Sequence, residues 1–363
     1  MTVLGLHHIT LICSNAQQTV DFYTRVLGLR LIKQSINIDE PTSAHLFFGA
    51  RAGNPEWAIS FFERATSPIG KAGIGGAHHF ALTVSDEDAL LKWKRWLIDH
   101  QVRVDGPLDR LYFNSLYFRD PDGVLVELAT TGPGWTIDEA PDQLGSAYRE
   151  PPAELQLHNR DRLHIQRQVW PQPVPEIDDQ MALTRGLHHI SVICADIEQT
   201  HVFLSDLIGM RRLKMTANFD DLSSAHWYWG VGEGQPGTLL TYFERSPGRT
   251  RPAQVGVGQT HHFALAVPDE AAQLAVREKL LAAGYRVTAV KDRVYYKSIY
   301  TQDPDGQIVE LTVTDPGFTV DEAEAELGQK LMLPPWMEHQ RAAIAGGLRP
   351  LELRDWDEAG AGT

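Results

Sequence analysis

The stretch LHHITLIC, at Leu6–Cys13, returns as LHHISVIC at Leu187–Cys194, and this repetition decides the fold. Four further stretches recur in the same order, each 181 to 183 residues after its first copy. These stretches are SAH at Ser43–His45 and Ser224–His226, HHFALTV and HHFALAV at His78–Val84 and His261–Val267, DRLYFNSLYFRDPDGVLVEL and DRVYYKSIYTQDPDGQIVEL at Asp109–Leu128 and Asp292–Leu311, and GWTIDE and GFTVDE at Gly134–Glu139 and Gly317–Glu322. Because order, spacing and composition repeat together, we interpret the chain as a tandem duplication.

A weaker repetition lies inside each half, where two segments open with a His–His pair on a strand-like run. The hydrophobic spacing predicts one plan for all four segments: a strand, a helix and three further strands. In the first segment Asn15 is predicted to cap the helix and Gly28 to end it, and in the second the helix runs from about Asp86 to His100. We call these segments modules one to four; their ranges are Leu4–Glu63, Ala77–Thr131, Leu187–Glu244 and His261–Thr314.

The length and composition predict an α+β protein of about two domains. The chain has 363 residues, of which 43% are hydrophobic and 22% are charged, so it can bury a sizeable core. Residues 1–150 would hold modules one and two, and residues 151–183 would form a proline-rich linker. Residues 184–341 would hold modules three and four, and residues 342–363 would form a tail whose end we expect to be mobile.

The charge balance excludes several classes of partner. The formal net charge is −14 without a basic run, so we expect neither nucleic acid nor a membrane as a partner. There is no apolar stretch of 18 residues and no signal-peptide pattern, which predicts a cytoplasmic protein. The two cysteines, Cys13 and Cys194, exclude a disulfide framework and a cysteine-based zinc site. The glycine-rich stretches Gly70–Gly76 and Gly256–Gly258 precede strands, and we expect a mobile flap there rather than a phosphate loop.

The histidine pairs point to a cavity. Side chains alternate along a strand, so only one histidine of each pair can face a given side. In the HHFAL strand the bulky Phe80 and Leu82 favour packing on a helix, whereas the small Ala81 follows the second histidine on the other face. The second histidine of every pair is therefore the predicted cavity residue. These residues are His8, His79, His189 and His262.

A carboxylate interrupts an apolar strand in modules two and four, at Glu127 in VLVELAT and Glu310 in QIVELTV. An isolated carboxylate in such a strand is costly unless it is paired or binds a metal. In modules one and three the matching position holds Ser60 or Thr241, and the nearby carboxylates fall on the opposite face; these are Glu63 and Glu244. Four histidines and two carboxylates make two sets of two His and one Glu, the ligand set of non-heme Fe(II) oxygenases.

An arginine and a tyrosine accompany each carboxylate. Arg110 and Arg293 precede the third strand of their modules, with Tyr117 and Tyr300 seven residues later. A guanidinium and a phenol near a metal would hold and polarise a phenolate-like substrate. One further repeated pair is formed by His45 and His226, whose direction the pattern leaves open.

Four features occur together in this chain: the LHHIT run, the HHFAL strand, the Arg…Tyr segment that ends in DPDGxxxEL, and the four-module plan. Their combination resembles the vicinal oxygen chelate superfamily, also described as the glyoxalase/bleomycin resistance/dioxygenase superfamily. Within it, the chain resembles the ring-cleaving dioxygenases that act on hydroquinones. The likeness covers roughly residues 4–330. It implies four βαβββ modules paired into two open, barrel-like β cups, and one mononuclear Fe(II), or sometimes Mn(II), site.

Carried over residue by residue, the resemblance assigns the metal to His8, His262 and Glu310. It also implies roles beside the metal or the substrate for Thr10, His261, Arg293 and Tyr300. Alternation along the strand places His261 on the face away from His262, so this role requires a strand irregularity or an approach from the side.

This sequence departs from the resemblance by retaining a complete second set, formed by His79, Glu127 and His189 with Arg110 and Tyr117. Such relatives usually keep the ligands of one metal only. The pairing of modules also stays open: His8 could instead join His79 and Glu127, and His189 could then join His262 and Glu310. The six ligands are the same under either pairing.

The leading hypothesis is an Fe(II)-dependent ring-cleaving dioxygenase that acts on a hydroquinone or catechol-like diol and uses O₂ as co-substrate. A homo-oligomer is a further possibility. A rival is a glyoxalase-type lyase or isomerase, which usually needs two carboxylates per metal and would gain if Glu63 or Glu244 faced the cavity. A third possibility is a non-catalytic binder of small aromatic molecules, which would have no need of metal ligands.

Overall fold

The computed structural model describes residues 3–50 and 56–353, so the end of the expected tail, residues 354–363, lies outside the described residues. Module one contains β1 (Gly5–Cys13), α1 (Ala16–Asp21), β2 (Arg30–Asn37), β3 (Glu40–Gly49) and β4 (Ala58–Glu63). Module two contains β5 (Gly76–Val84), α2 (Glu87–Asp99), β6 (Val104–Asp109), β7 (Asn114–Arg119) and β8 (Leu125–Thr130), and it is followed by β9 (Tyr148–Arg149) and α3 (Arg162–Arg167). Module three contains β10 (Leu187–Cys194), α4 (Ile197–His201), β11 (Arg211–Asn218), β12 (Asp221–Gly230) and β13 (Leu239–Glu244). Module four contains β14 (Thr260–Val267), α5 (Glu270–Ala282), β15 (Lys291–Asp292), β16 (Lys297–Gln302) and β17 (Ile308–Val313), and α6 (Arg341–Gly347) follows it.

The predicted order of strand, helix and three strands is thus confirmed in all four modules, and with it the α+β class. Asn15 caps α1 as predicted, since its side chain accepts a hydrogen bond from the Gln18 amide. The helix is more irregular than the spacing suggests: it continues as a π-helical turn over Phe22–Val26, and module three repeats this over Val202–Ile208.

The strands form two sheets, and each sheet takes one module from either half of the chain. One sheet has the order β15-β16-β17-β14-β1-β4-β3-β2 and the other the order β6-β7-β8-β5-β10-β13-β12-β11-β9. Module one therefore pairs with module four, through β1 and β14, and module two pairs with module three, through β5 and β10. The structure shows this pairing rather than the alternative in which neighbouring modules pair.

The apolar rows lie where the alternation places them. Ile9, Leu11 and Cys13 on β1 are fully buried, as is Phe80 on β5. Cys194 is buried as well, so both cysteines serve as small apolar residues.

The two glycine-rich stretches pair with each other, so the expectation of a mobile flap is wrong. Isolated bridges join Ile69 to Val257 and Lys71 to Gln254. The backbone amides of Lys71 and Gln254 each donate to the other residue's carbonyl, both at 2.8 Å. The segments therefore tie the two sheets together.

The proline-rich stretch after β9 packs against modules two and three. Lys94 of α2 donates to the carbonyls of Ile165 and Gln168, and the Leu157 amide donates to the Phe219 carbonyl. Among the described residues, none of the helices has both the length and the apolar character that crossing a membrane would require.

Candidate metal centres

Each sheet brings two histidines and one glutamate together at its inner face. In the first centre, Glu310 Oε2 lies 3.3 Å from His8 Nε2 and 2.9 Å from His262 Nε2. The two imidazole Nε2 atoms are 3.3 Å apart. The structure thus gathers one of the two ligand sets that the sequence predicts.

The second centre repeats this geometry. Glu127 Oε2 lies 2.9 Å from His79 Nε2 and 3.3 Å from His189 Nε2, and the two Nε2 atoms are 3.2 Å apart. In both centres the three donor atoms lie within 4.8 Å of one another.

Strand register explains why these residues meet. Thr10 on β1 is opposite His262 on β14, and Ala264, two residues further along β14, is opposite Glu310 on β17. Since residues two apart on a strand share a face, His262 and Ala264 point to the same side. The small Ala264 leaves room beside Glu310. Modules two and three repeat this register.

The donor set fits a bound metal cation. Glu310 Oε2 and Glu127 Oε2 are buried and have no hydrogen-bond partner, although two imidazole nitrogens lie within 3.3 Å of each. A buried carboxylate oxygen that has no hydrogen-bond partner and faces two imidazole nitrogens indicates a common point outside the three residues. Two neutral imidazoles and one carboxylate on one side of that point would leave the other coordination positions open.

The second oxygen of each glutamate is held in place by a serine. Ser115 donates from Oγ to Glu127 Oε1 at 2.5 Å, and Ser298 donates to Glu310 Oε1 in the other centre. Burial alone would raise the pKa of Glu310, but the adjacent His8 and His262 hold this pKa well below its usual range. The carboxylate is therefore ionised and oriented.

The first histidine of each pair supports the second. Nδ1 of His7 lies 2.8 Å from Nδ1 of His8, and Nδ1 of His261 lies 2.8 Å from Nδ1 of His262. The other two pairs, in which His78 precedes His79 and His188 precedes His189, show separations of 2.8 and 2.9 Å. The first histidine thus reaches the outer edge of the ring whose Nε2 faces the centre.

A strand irregularity makes this contact possible. Leu6 and His8 are two residues apart on β1, but their partners on β14, Leu265 and Ala264, are adjacent. His7 is therefore the extra residue of a β-bulge. Thr10 and Leu11 are adjacent on β1, but their partners His262 and Thr260 are two residues apart on β14, so His261 is likewise an extra residue. The same shifts occur in the pairing of β10 with β5. The bulge removes the conflict between the alternation rule and the role implied for His261.

A chain of hydrogen bonds runs outward from the first centre. Thr10 Oγ1 lies 3.1 Å from His262 Nε2 and 2.7 Å from Ser60 Oγ, and Ser60 Oγ lies 3.1 Å from His45 Nε2. Burial is the main cause that lowers the pKa of His45 well below its usual value, and the neighbouring His8, His262 and Arg293 add to the effect. This histidine, whose direction the sequence leaves open, therefore points inward and is neutral.

The arginine and tyrosine of each set are in contact. Arg293 Nε donates to the Tyr300 hydroxyl at 2.9 Å, and Arg110 Nε donates to the Tyr117 hydroxyl at 3.2 Å. Each tyrosine lies opposite the glutamate of its centre in the strand pairing. Burial raises the pKa of both tyrosines well above the usual value, so both phenols keep their protons.

An aspartate that the sequence analysis missed orients each arginine. Asp39 accepts a hydrogen bond from Arg293 at 2.9 Å, and Asp220 accepts one from Arg110 at 3.0 Å. Asp220 also pairs with Arg160 of the linker. The repetition of these aspartates 181 residues apart was the signal that could have identified them.

The second centre opens into a cavity of about 760 Å³. This volume lies within the range of small-molecule sites. Its wall includes the ligands His79 and His189, the pair of Arg110 and Tyr117, and Tyr228.

Neither Glu63 nor Glu244, which the sequence places on the opposite face of their strands, points toward a centre. Glu63 Oε1 accepts a hydrogen bond from the Ala16 amide at the start of α1. Glu244 lies at the matching position of β13, opposite Cys194 as Glu63 is opposite Cys13. The hydroxyls of Ser60 and Thr241 lie at the position where a second carboxylate would be needed, so each centre has one glutamate.

Comparison with known proteins identifies the class. A family model of the Glyoxalase/Bleomycin resistance protein/Dioxygenase superfamily matches residues 5–128 and 186–311. The chain therefore belongs to this superfamily, as its motifs predict.

Particular relatives match over nearly the whole length. The chain is 30% identical over 352 residues to the Bacillus subtilis (strain 168) protein named "Putative ring-cleaving dioxygenase MhqA", a match that covers 97% of this chain and 100% of that protein. It is 27% identical over 339 residues to the chlorohydroquinone/hydroquinone 1,2-dioxygenase of Sphingobium indicum, with 93% of each covered. A solved structure described as a putative dioxygenase from Bacillus subtilis superposes with a TM-score of 0.77 at 28% identity, covering 97% of this chain and 99% of that one. These names support an oxygenase enzyme.

Proposed function

We propose that this protein is an Fe(II)-dependent ring-cleaving dioxygenase that acts on a hydroquinone or catechol-like diol and uses O₂ as co-substrate. The observation that carries the proposal is the donor set of two histidines and one unpartnered glutamate oxygen, repeated in both sheets. Relatives named ring-cleaving dioxygenases support the same reaction class. Mn(II) is the alternative metal.

Iron(II), when bound, would supply open coordination positions for a substrate oxygen and O₂. The protein's own residues would hold the diol in place. The Arg293 guanidinium lies beside Tyr300 and offers positive charge to a phenolate oxygen. Because Tyr300 accepts from Arg293, its own hydroxyl proton stays available for the substrate. Arg110 and Tyr117 would act in the same way in the second centre.

Metal content per chain tests the ligand sets. We expect two iron atoms per chain after anaerobic expression, and one in each of the variants Glu310→Ala and Glu127→Ala. Glu63→Ala is the matched control, because its carboxylate faces α1, and it should keep both irons. Loss of iron only in Glu310→Ala would show that the second set does not bind metal, and absence of iron from the wild type would contradict the proposal.

Oxygen uptake tests the reaction. The anaerobically iron-loaded protein should consume O₂ when it is mixed with a panel of hydroquinones and catechols. If the iron-loaded protein consumes no O₂ with any of them, the dioxygenase assignment is wrong and the non-catalytic binder becomes the better interpretation.

A further inference from the structure

The two centres match in the residues that would hold metal and polarise substrate, but they differ in the wall around them. The positions related by the duplication are identical for the ligands, for the Arg–Tyr pair and for the serine and aspartate that support them. Two positions near the centres exchange a phenol for a phenyl ring. Phe47 corresponds to Tyr228, and Tyr296 corresponds to Phe113.

The first exchange lies on the hydrogen-bonded chain. In the second centre, the Tyr228 hydroxyl lies 3.1 Å from His226 Nδ1, and His226 Nε2 lies 3.0 Å from Thr241 Oγ1. In the first centre the ring of Phe47 lies 3.9 Å from the ring of His45, centroid to centroid, and offers no hydroxyl. The second centre therefore has an additional hydroxyl beyond this histidine.

The second exchange lies against a metal ligand. The ring of Tyr296 is 5.3 Å from the ring of His8, and in the other centre the ring of Phe113 is 5.4 Å from the ring of His189. The additional phenol thus stands near the ligand histidine in the first centre and beside His226 in the second. At these two positions the extra hydroxyl therefore lies on a different wall in each centre.

Tyr228 and His226 both line the cavity of the second centre. If the proton of His226 is on Nε2, toward Thr241, then Nδ1 accepts the hydrogen bond that the Tyr228 hydroxyl donates. The phenol oxygen retains lone pairs and can accept a hydrogen bond from a bound molecule. A polar substituent placed beside Phe47 would instead lose its water without gaining a partner.

We propose that the two centres take different members of one class of aromatic diol. The second centre selects a ring with an additional hydrogen-bond donor, held by Tyr228 with His226, and the first selects a ring whose substituent beside Phe47 is apolar. This inference rests on the proposed function, since it assumes that both centres bind a diol. Tyr228 and Phe47 are then specificity-determining residues of the two pockets.

Single-centre variants separate the pockets. Glu310→Gln leaves only the second centre, and Glu127→Gln leaves only the first. Each variant is loaded with Zn(II), which supports no oxygen chemistry, and titrated calorimetrically without air with hydroxymethylhydroquinone and with ethylhydroquinone. These probes have nearly the same volume and differ by the exchange of one methyl group for a hydroxyl. The preference for the hydroxymethyl compound should be about tenfold greater in Glu310→Gln than in Glu127→Gln, the effect of one hydrogen bond.

Exchanging the phenol tests the residues themselves. Tyr228→Phe in the Glu310→Gln background should remove the preference, and Phe47→Tyr in the Glu127→Gln background should create it. Tyr112→Phe is the control, because the Tyr112 ring packs 6.2 Å from that of Tyr228 while its hydroxyl bonds to Asp138. This control should leave the preference unchanged.

Three outcomes would overturn the inference: equal preferences in the two centres, no effect of Tyr228→Phe, or no probe binding in the zinc-loaded Glu310→Gln variant. The proposed function fails separately, if the iron-loaded wild type consumes no O₂ with either probe or with unsubstituted diols. The preference between the two probes does not depend on oxygen uptake, because it is measured by calorimetry on the zinc-loaded variants.

Discussion

Adjacent histidines in this protein take different roles because of the proton on one nitrogen. In the proposed centre the Nε2 of His8 would bind the metal unprotonated, which would place the proton on Nδ1, where it is donated to His7. Burial is the main cause that lowers the pKa of His7, to about 3, and His7 therefore stays neutral and can accept this hydrogen bond. Similarly His188, with a pKa lowered to about 3, accepts from His189.

At the residue scale the sequence predicts which side chains form the two centres. Repetition and alternation are enough to select six side chains whose donor atoms the structure brings together. They do not reveal the serines that hold the glutamates, because a serine on a buried strand has many other uses. Nor do they fix the direction of His45, since alternation along β3 gives a face only once its starting residue is known.

The serine–glutamate contact leads to a prediction. Ser298→Ala removes the hydrogen bond to Glu310 Oε1, so the carboxylate should lose its fixed orientation and the first centre should bind metal about 10–100-fold more weakly. Competition with a chelator during Fe(II) or Zn(II) titration measures this affinity site by site. Ser115→Ala is the matched variant and should weaken only the second centre; equal affinities in wild type and variant would contradict the role assigned to the serine.

Between elements, the turns that follow β7 and β16 do more than reverse the chain. The structure has turns at the DPDG stretches Asp120–Gly123 and Asp303–Gly306, whose residue types favour turns. Their second aspartates also join the modules: Asp122 accepts from the Ser14 amide at 2.9 Å, and Asp305 accepts from the Ala195 amide at 2.8 Å. Sequence patterns indicate the turn because it is local, and they miss the partner because it is distant along the chain.

A glycine at each of these junctions provides an element-scale prediction. Gly258 has φ +78°, and a Cβ there would lie 2.3 Å from the Asp122 carbonyl oxygen, whereas Gly123 has φ +88° and open space. Gly123→Ala should cost about 1–2 kcal/mol for the left-handed backbone alone. Gly258→Ala should cost a further ~1–3 kcal/mol because it also forces backbone apart. Equal losses in urea unfolding would show that the contact between the segments carries no stability.

Across the whole molecule, the duplication explains why module pairing could not be read from the sequence. The strand β1 pairs with β14 in HHFALAV, but β5 in HHFALTV offers nearly the same row of side chains. Local pattern therefore favours both partners equally. Each candidate metal centre consequently takes residues from both halves of the chain.

This interchangeability predicts the behaviour of the first half alone. Residues 1–150 contain β1 and β5 with their partners β4 and β8 in the same module, but they lack β14 and β10, the partners from the other half. Two copies can supply each other's missing partner, with β1 of one copy against β5 of the other. We expect a symmetric dimer with two metal ions, each held by His8 of one copy and by His79 and Glu127 of the other.

Light scattering and metal analysis of residues 1–150 test this assembly. The Glu127→Ala version should still dimerise but bind no metal, because the strand contacts do not involve that carboxylate. A monomer with one metal would mean that modules one and two can pair within a half, so that chain connection rather than strand complementarity enforces the pairing seen in the full protein. A folded dimer would show instead that strand complementarity is sufficient for this pairing. Both candidate metal centres would then derive from one ancestral interface, which the present chain contains twice.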